Sequence, residues 1–166
     1  MAFSGDVTEI TGGPAYIELS STAIGHTQGG ITATVTPSNR PRTVDEYGNS
    51  EIAIIHTGDT SRVGVPFCQW SNATWKEMYN PGLDGTTYVG LGRKAGYHYT
   101  TKQLDILPFL TADAGKYLEF AKATPIGDIV VGHALDSDRV MTIEFATLVD
   151  PAATDGKTIG QVYTPA

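Results

Sequence analysis

The sequence predicts a mainly β fold, a β-sandwich or barrel-like domain with one flanking α-helix. Many short segments alternate apolar and polar residues with the two-residue period of strands, and glycine, proline and asparagine separate them. Residues 71–80 instead combine capping residues with aromatic side chains at helical spacing. The 166 residues are enough to bury a core without metals or disulfides, so we predict a single domain over 1–166.

The chain opens with residues 1–13, which are small, polar and glycine-bearing. This composition predicts a flexible N-terminal arm that becomes ordered only against another surface. AYIEL at 15–19 follows as a short strand. ITATVT then predicts a half-buried strand, with Ile31, Ala33 and Val35 facing the core and its threonines facing solvent.

A polar connector over 37–50 separates this strand from the next one. It is long for a hairpin loop and carries charges of both signs, which favours a contact with protein over a solvated turn. EIAIIHT at 51–57 is apolar on both alternating faces, so we predict a strand that is covered on both sides. The glycine-containing triplet 57–59 predicts a turn, and a third strand follows over 62–67.

The predicted helix over 71–80 can be capped by Ser71 or Asn72 and is stopped by Pro81 and Gly82. The glycine-rich segment that follows predicts only a short strand. The remaining predicted strands lie around Pro108, in KYLEFAKATP, in GDIVVGHAL, in RVMTIEFATLV and near the C-terminus.

Sequence motifs for catalysis are weak. GLGRKA at 90–95 matches a relaxed dinucleotide pattern, but no helical period follows it. The four histidines have no metal-ligand spacing, and DSDR at 136–139 lacks the calcium-loop pattern. There is no GxSxG motif, and the single cysteine, Cys68, is predicted to be a small core residue. We therefore expect no enzymatic activity, no cofactor and no metal.

The charge balance argues against a basic nucleic-acid-binding face, because 11 Lys and Arg oppose 18 Asp and Glu for a formal net charge of -7. The N-terminus lacks the positive and apolar regions of a secretory signal, and no apolar run reaches membrane-spanning length. These observations predict a soluble protein that is made in the cytoplasm and does not insert into membranes.

The order of these segments resembles that of the tail tube (major tail) proteins of long-tailed bacteriophages. The resemblance covers most of the chain. It is carried by the run from IGHTQGGITATVT through HTGDTSRVGVPFCQW to MYNPG at 24–82, and by RVMTIEFATLVDP and DGKTIGQV near the C-terminus. It implies a β-sandwich with a flanking helix, assembled as homohexameric rings that stack into a tube in the virion tail. The tape-measure protein and then the genome would pass through that tube, and other tail proteins would contact it.

Two groups of residues become candidates under this resemblance. The early connector would reach the neighbouring ring, and its candidate contact residues are Arg40, Arg42, Asp45, Glu46 and Tyr47. Strand alternation makes a second, polar group candidates for the channel wall, where a neutral or acidic surface would let DNA slide. These wall candidates are Thr32, Thr34, Thr36, Glu51 and Glu144.

Other functions fit the same sequence. A single-ring tail component, such as a terminator or distal tail protein, or a capsid decoration protein would come from the same setting. A β-sandwich module that binds carbohydrate would use Trp70, Trp75 and the tyrosines as stacking platforms. Packing of Trp75 and Tyr79 against the sheet is the alternative interpretation of the helix aromatics.

Overall fold

A computed structural model describes residues 14–48, 50–69, 71, 75–76, 95–110, 115–131, 140–154 and 157–163. Within these residues the fold is mainly β, and all strands belong to one antiparallel sheet. A 3-10 turn lies at Asp45–Tyr47. The strands are β1 (Ala15–Leu19), β2 (Thr22–Ala23), β3 (Thr32–Thr43), β4 (Glu51–Phe67), β5 (Lys102–Pro108), β6 (Tyr117–Pro125), β7 (Val130–Val131), β8 (Met141–Thr147) and β9 (Gly160–Tyr163).

The sheet runs in the order β2-β1-β5-β6-β8-β4-β3, with β7 beside β8 and β9 beside β6. β6 pairs with β5 on one edge, and on its other edge it pairs first with β9 and then with β8. Thr27 links two distant strands, because its Oγ1 donates to the Ala15 carbonyl at 3.1 Å and its backbone bridges Phe67. The sheet therefore curls until β1 and β4 approach each other.

The core lies on the concave side of the curled sheet and follows the predicted two-residue period. On β8, Met141, Ile143 and Phe145 are buried while Thr142 and Glu144 are exposed, as predicted. Each fully buried side chain of this kind stabilises the fold by roughly 1.5–3 kcal/mol. The core is completed by Ile17, Leu19, Ile24, Val63, Val65, Phe67, Leu104, Phe120, Ala123 and Ile159.

The predicted strands at AYIEL, around Pro108, in KYLEFAKATP, in RVMTIEFATLV and near the C-terminus are confirmed as β1, β5, β6, β8 and β9. The apolar run in GDIVVGHAL contains the short β7. β1, β5, β6 and β8 pair with antiparallel neighbours whose apolar residues share their core face. Alternation of apolar and polar residues was sufficient to find these strands, because packing inside this domain decides which of their faces is buried and which is exposed.

The turn predicted at 57–59 is wrong, because β4 is one strand of 17 residues. Ser38 pairs with Gly58 and Asn39 pairs with His56, so Thr57 is the extra residue of a β-bulge. Gly58 adopts φ 144°, a conformation that other residues rarely adopt. The glycine therefore marks a bulge within a strand and not the end of one.

The loop predicted over 37–50 is shorter than expected, because β3 continues to Thr43 and leaves 44–50 as the connector. The polar composition of 37–50 led to the prediction of a loop, and this stretch also contains Pro37 and Pro41. β3 is the last strand of the sheet, so a proline there can turn its missing N–H side to solvent without breaking the ladder to β4.

The burial predicted for these two strands is also wrong. Every residue of β3 is exposed, including Ala33 and Val35, and Ile31 is only half-buried. EIAIIHT, predicted to be covered on both faces, is exposed from Glu51 to Thr57. The reason is that the core cluster includes residues of β4 only from Val63 onward, so among the described residues nothing packs over its first half.

The predicted helix is described only in part. Trp75 and Lys76 are helical, and the Trp75 N–H donates to the Ser71 carbonyl at 2.9 Å. Most other residues of 71–80, the arm at 1–13 and the glycine-rich stretch up to 94 lie outside the described residues. No helix within the described ranges has both the length and the apolar composition needed to cross a membrane.

Cys68 is not the core residue that its position predicted. It is half-buried, and its thiol lies 3.4 Å from the His26 carbonyl as a hydrogen-bond donor. The Cys68 N–H also donates to that carbonyl, at 2.9 Å. Cys68 follows the last residue of β4, so its side chain lies beyond the strand positions that face the core.

Candidate functional site

The most unusual surface is the outer part of the β3–β4 hairpin, residues 37–59, which we call the projecting hairpin. β4 pairs with β8 only over Ser61–Phe67, whereas its pairing with β3 continues out to Glu51. At roughly 3.4 Å per residue, the ribbon beyond the end of β8 is about 25 Å long. It is a two-stranded arm that leaves the body of the sheet.

One face of the hairpin is polar and carries most of the wall candidates. Thr34 lies opposite Arg62, and Thr32 lies opposite Gly64, which in turn lies opposite Glu144 on β8. Residues opposite each other in an antiparallel pair share a face. Arg62 Nε lies 3.2 Å from Glu144 Oε1, and both side chains are about half exposed. The structure thus places Thr32, Thr34, Thr36 and Glu144 on one surface.

The same face continues onto the projecting hairpin. β3 contains no extra residue, so the alternation that presents Thr32, Thr34 and Thr36 also presents Arg40 and Arg42 there. Two residue sets that were predicted for different roles therefore share one strand face. Among described strand residues on the β3, β4 and β8 part of this face, three arginines oppose one glutamate, so the net acidity of the chain is not located here.

Glu51 does not join the other wall candidates. It pairs with Thr43 at the far end of the hairpin, and Thr43 lies on the opposite face of β3 from Thr36. A second bulge, with Ile52 as the extra residue, moves Glu51 to that side. The two inserted residues, Thr57 and Ile52, cancel in the alternation, so Glu51 lies on the side away from Arg62 that a single continuous β4 predicts; the wall prediction failed because it treated 51–57 as a separate strand.

The tip of the hairpin contains the rest of the contact candidates. Asp45, Glu46 and Tyr47 form the 3-10 turn and are all exposed, Tyr47 at 66%. Within the described residues, Asp45, Glu46, Arg40 and Arg42 have no ion-pair partner. The structure therefore brings all five contact candidates onto the outer half of one hairpin.

The opposite face of the hairpin is open and carries exposed aliphatic residues beside the polar His56 and Asp59. Val35 and Ala33 continue the core face of β4, yet both are exposed, Val35 at 55%. With residues of β6 and β9 they line a groove of about 900 Å³ at the open end of the core. Further exposed aliphatic residues follow along β4. Ile54, at 69%, lies on this face; Ile55, at 36%, lies opposite Arg40 on the polar face, and Ile52, at 48%, is the inserted residue of the second bulge.

Sequence reasoning missed this groove because its walls come from segments that are far apart in the chain. Leu118 and Phe120 of β6 and Val162 of β9 also line it, and Val162 is 70% exposed. The one available signal was EIAIIHT, an apolar run flanked by polar residues, which sequence analysis interpreted as a covered strand. An exposed apolar surface of this kind commonly marks an interaction site.

Two side-chain contacts hold the base of the projecting hairpin. Thr57 Oγ1 donates to the Ser38 carbonyl at 2.9 Å, and His56 Nε2 lies 3.2 Å from Asp59 Oδ2. The second contact spans the bulge on β4, at the point where the hairpin leaves the body. The bulge is thus fixed locally by contacts within the hairpin itself, and it sets the direction in which the arm points.

A row of carboxylates crosses the other half of the sheet. Glu18, Asp105 and Glu119 lie opposite one another on β1, β5 and β6. Asp105 is buried, and both of its carboxylate oxygens accept from Gln103 Nε2 at 3.1 Å. Burial raises the pKa of the Asp105 carboxyl above its ordinary value of 3.8, and the charges of Glu119 and Glu18 act in the same direction against the Gln103 hydrogen bonds.

The described residues show no group of three or more His, Cys, Asp and Glu side chains that could hold a metal ion. The acidic turn at 136–139 lies outside them. Trp75 is half-buried and packs against the core, which confirms its packing interpretation. Trp70 and Tyr79 also lie outside the described residues.

A comparison of the chain with protein-family models finds no match, and a comparison with curated proteins finds none either.

Proposed function

We propose that this chain is a non-enzymatic structural subunit that assembles into homohexameric rings, and that these rings stack as the tail tube of a long-tailed bacteriophage. The observation that carries the proposal is the projecting hairpin, a ribbon exposed on both faces that leaves the body of the sheet. A two-stranded ribbon is at most marginally stable by itself in water. The hairpin therefore gains most from contacts with other copies.

Free backbone edges provide the first kind of contact. β3 is the end strand of the sheet, and β4 has no neighbour on its β8 side before Ser61 within the described residues. These two free edges lie on opposite sides of one hairpin. β3 of one copy can therefore pair with β4 of the next, and head-to-tail contacts of this kind close into rings.

The prolines restrict where this pairing occurs. Pro37 and Pro41 have no backbone N–H to donate, and at both positions the backbone nitrogen faces the free edge of β3. The N–H groups of Ala33 and Val35 face the same free edge, since both residues lie an even number of positions from Pro37, and these groups can donate hydrogen bonds. Backbone pairing between copies is therefore expected between 32–36 of β3 and the free edge of β4 before Ser61 in the next copy, while the outer half of β3 contacts other copies through its side chains.

Apolar surface provides the second kind of contact. Ile52 and Ile54 are exposed on the arm, and the groove beside Val35 and Val162 is open at its rim. Burying these groups between copies removes aliphatic area from water at roughly 25 cal/mol per Å². This term favours assembly over an isolated chain.

The polar face suits a channel wall. Its threonines offer neutral hydroxyl groups, and Arg62 is paired with Glu144 at 3.2 Å. A wall whose cations are paired does not retain a polyanion such as DNA. Arg40 and Arg42 also lie on this face and have no ion pair among the described residues, so the assembly must neutralise them. In this proposal the tape-measure protein occupies the channel first and the genome passes through it at delivery. The subunit is made in the host cytoplasm and becomes part of the virion.

Negative-stain electron microscopy of the purified chain over a concentration series tests the proposal. We expect stacked rings or tubes above a threshold concentration, and the same protein in the tails of virus particles. Single rings at every concentration would favour a terminator or distal tail protein. Monomers at every concentration, with no copies in virus particles, would overturn the proposal.

A further inference from the structure

The five outer residues of the hairpin separate into two groups of opposite character. Arg40 and Arg42 project from the polar face of β3, two residues and roughly 7 Å apart, beside the exposed Ile55. Asp45 and Glu46 follow each other in the 3-10 turn at the tip, beside Tyr47. One group is a pair of cations with an aliphatic neighbour. The other is a pair of anions with an aromatic neighbour.

Neither group has an ion-pair partner among the described residues of its own chain. The arginines and the acids lie within seven residues of each other, yet the described residues show no ion pair for any of the four. All four side chains are exposed and belong to the arm that leaves the body of the sheet. Two complementary charged groups on one molecule that do not reach each other are suited to pairing between copies.

We propose that the acidic tip of one copy, Asp45 and Glu46 with Tyr47, binds the arginine pair, Arg40 and Arg42, of the next copy. This inference rests on the proposed assembly and specifies the chemistry of one of its contacts. Arg–carboxylate pairs form strong, directional hydrogen bonds. Tyr47 stacks against an arginine or Ile55 of the next copy, and tyrosine and arginine are frequent energetic centres of interfaces.

The contact also has a consequence for the channel. Arg40 and Arg42 lie on the same strand face as the threonines proposed for the wall, so two unpaired cations per copy would attract DNA phosphates. Pairing with a neighbour's carboxylates removes that attraction. The acidic tip therefore both links copies and neutralises the basic end of the polar face.

Charge reversal of either group tests the contact. Variant X carries Arg40→Glu and Arg42→Glu, and variant Y carries Asp45→Arg and Glu46→Arg. Each variant brings like charges together at the contact, so we expect the concentration at which polymers appear to rise by roughly 100-fold for each one alone. An equimolar mixture of X and Y restores opposite charges at every contact and assembles near the wild-type threshold. Sedimentation and electron microscopy measure that threshold.

Asp128→Lys provides a control, since Asp128 is exposed and outside the hairpin. It should leave the threshold unchanged, and thermal unfolding should show that X and Y remain folded. If X or Y alone polymerises like wild type, or if their mixture is not rescued, the contact is wrong. The assembly proposal would still stand in that case, because it depends on polymers of the wild-type chain.

A mobility-shift assay with duplex DNA tests whether the arginine pair binds DNA instead of another copy of the chain. If wild type retains DNA, X does not, and X polymerises normally, the arginine pair serves a nucleic acid and the proposed contact is overturned. If X fails to polymerise and neither protein retains DNA, the contact between copies is supported. High salt should raise the wild-type threshold, because exposed ion pairs are screened.

Discussion

Ser61 and Thr147 lie opposite each other across β4 and β8, and both hydroxyl groups are buried without a hydrogen-bond partner in the described structure. Ser61 is 1% exposed and Thr147 is 8% exposed. They form the last cross-strand pair before the projecting hairpin leaves β8. At the end of the β4–β8 ladder the core therefore contains two buried hydroxyl groups that no described residue hydrogen-bonds.

Replacing this pair by apolar groups should stabilise the domain. The double variant Ser61→Ala, Thr147→Val removes two buried hydroxyls and keeps the volume at Thr147 nearly unchanged. We expect the free energy of unfolding to rise by about 1–2 kcal/mol, since an unsatisfied buried polar group is destabilising. Urea denaturation measures the change. Thr142→Val, on the exposed face of β8, serves as the control, and a loss of stability in the double variant would contradict the assignment.

Ile54 should matter for assembly and not for folding. It is 69% exposed on the projecting hairpin, so Ile54→Asp removes little burial from the folded chain. We expect unchanged thermal unfolding and a loss of polymers, because the carboxylate would be buried between copies. Val130→Asp is a matched control, since Val130 is 64% exposed on β7. Equal effects of the two substitutions on polymer formation would remove the hairpin from the interface.

Gly160 should not tolerate a side chain. A Cβ at this position would overlap the carbonyl oxygen of Glu119 and approach Phe120 Cδ1 to 2.9 Å, so Gly160→Ala must separate β9 from β6. We expect a loss of about 2–4 kcal/mol in the free energy of unfolding, in the range of disruptive core substitutions. Gly64→Ala is the control, because its Cβ would meet only Thr32 Oγ1 at 3.3 Å. Similar stability of both variants would show that β9 is not anchored at Gly160.

Asp105 should make stability fall as pH rises. Its pKa is raised in the folded chain, chiefly by burial, so above the ordinary value of 3.8 the folded state holds a proton that the unfolded chain has released. Stability is therefore lost as pH rises through the raised pKa. Asp105→Asn has no such titration, and its advantage over wild type should grow from acidic pH to neutrality in urea denaturation. A constant difference across that range would show that Asp105 does not titrate abnormally.

Sequence patterns predicted those strands in which packing inside the domain decides which face is buried and which is exposed. Met141, Ile143 and Phe145 alternate with polar residues and lie against β4 and the core, so their burial followed from β8 alone. The same alternation placed Thr32, Thr34, Thr36 and Glu144 on one face. Period-two patterns succeed there because neither β8 nor the first half of β3 contains an inserted residue.

The projecting hairpin could not be predicted in this way. Whether Ile54 is buried depends on which segments pack over that part of β4, and the core cluster reaches β4 only from Val63 onward. Gly58 signals a change of backbone direction, but only the partner strand decides between a turn and a bulge. Pro37 and Pro41 suggest a loop unless the strand is known to be at an edge. Each error arose from the absence of a neighbour that sequence alone does not reveal.

The two prolines of β3 also bear on how the chain avoids fibrils. A chain that polymerises, as proposed, is present in many copies before assembly begins, and long bare strand edges are templates for amyloid growth. Pro37 and Pro41 interrupt that template every four residues along the outer half of β3. Stray chains can therefore join this edge only over a short stretch, which favours ordered polymerisation over precipitation.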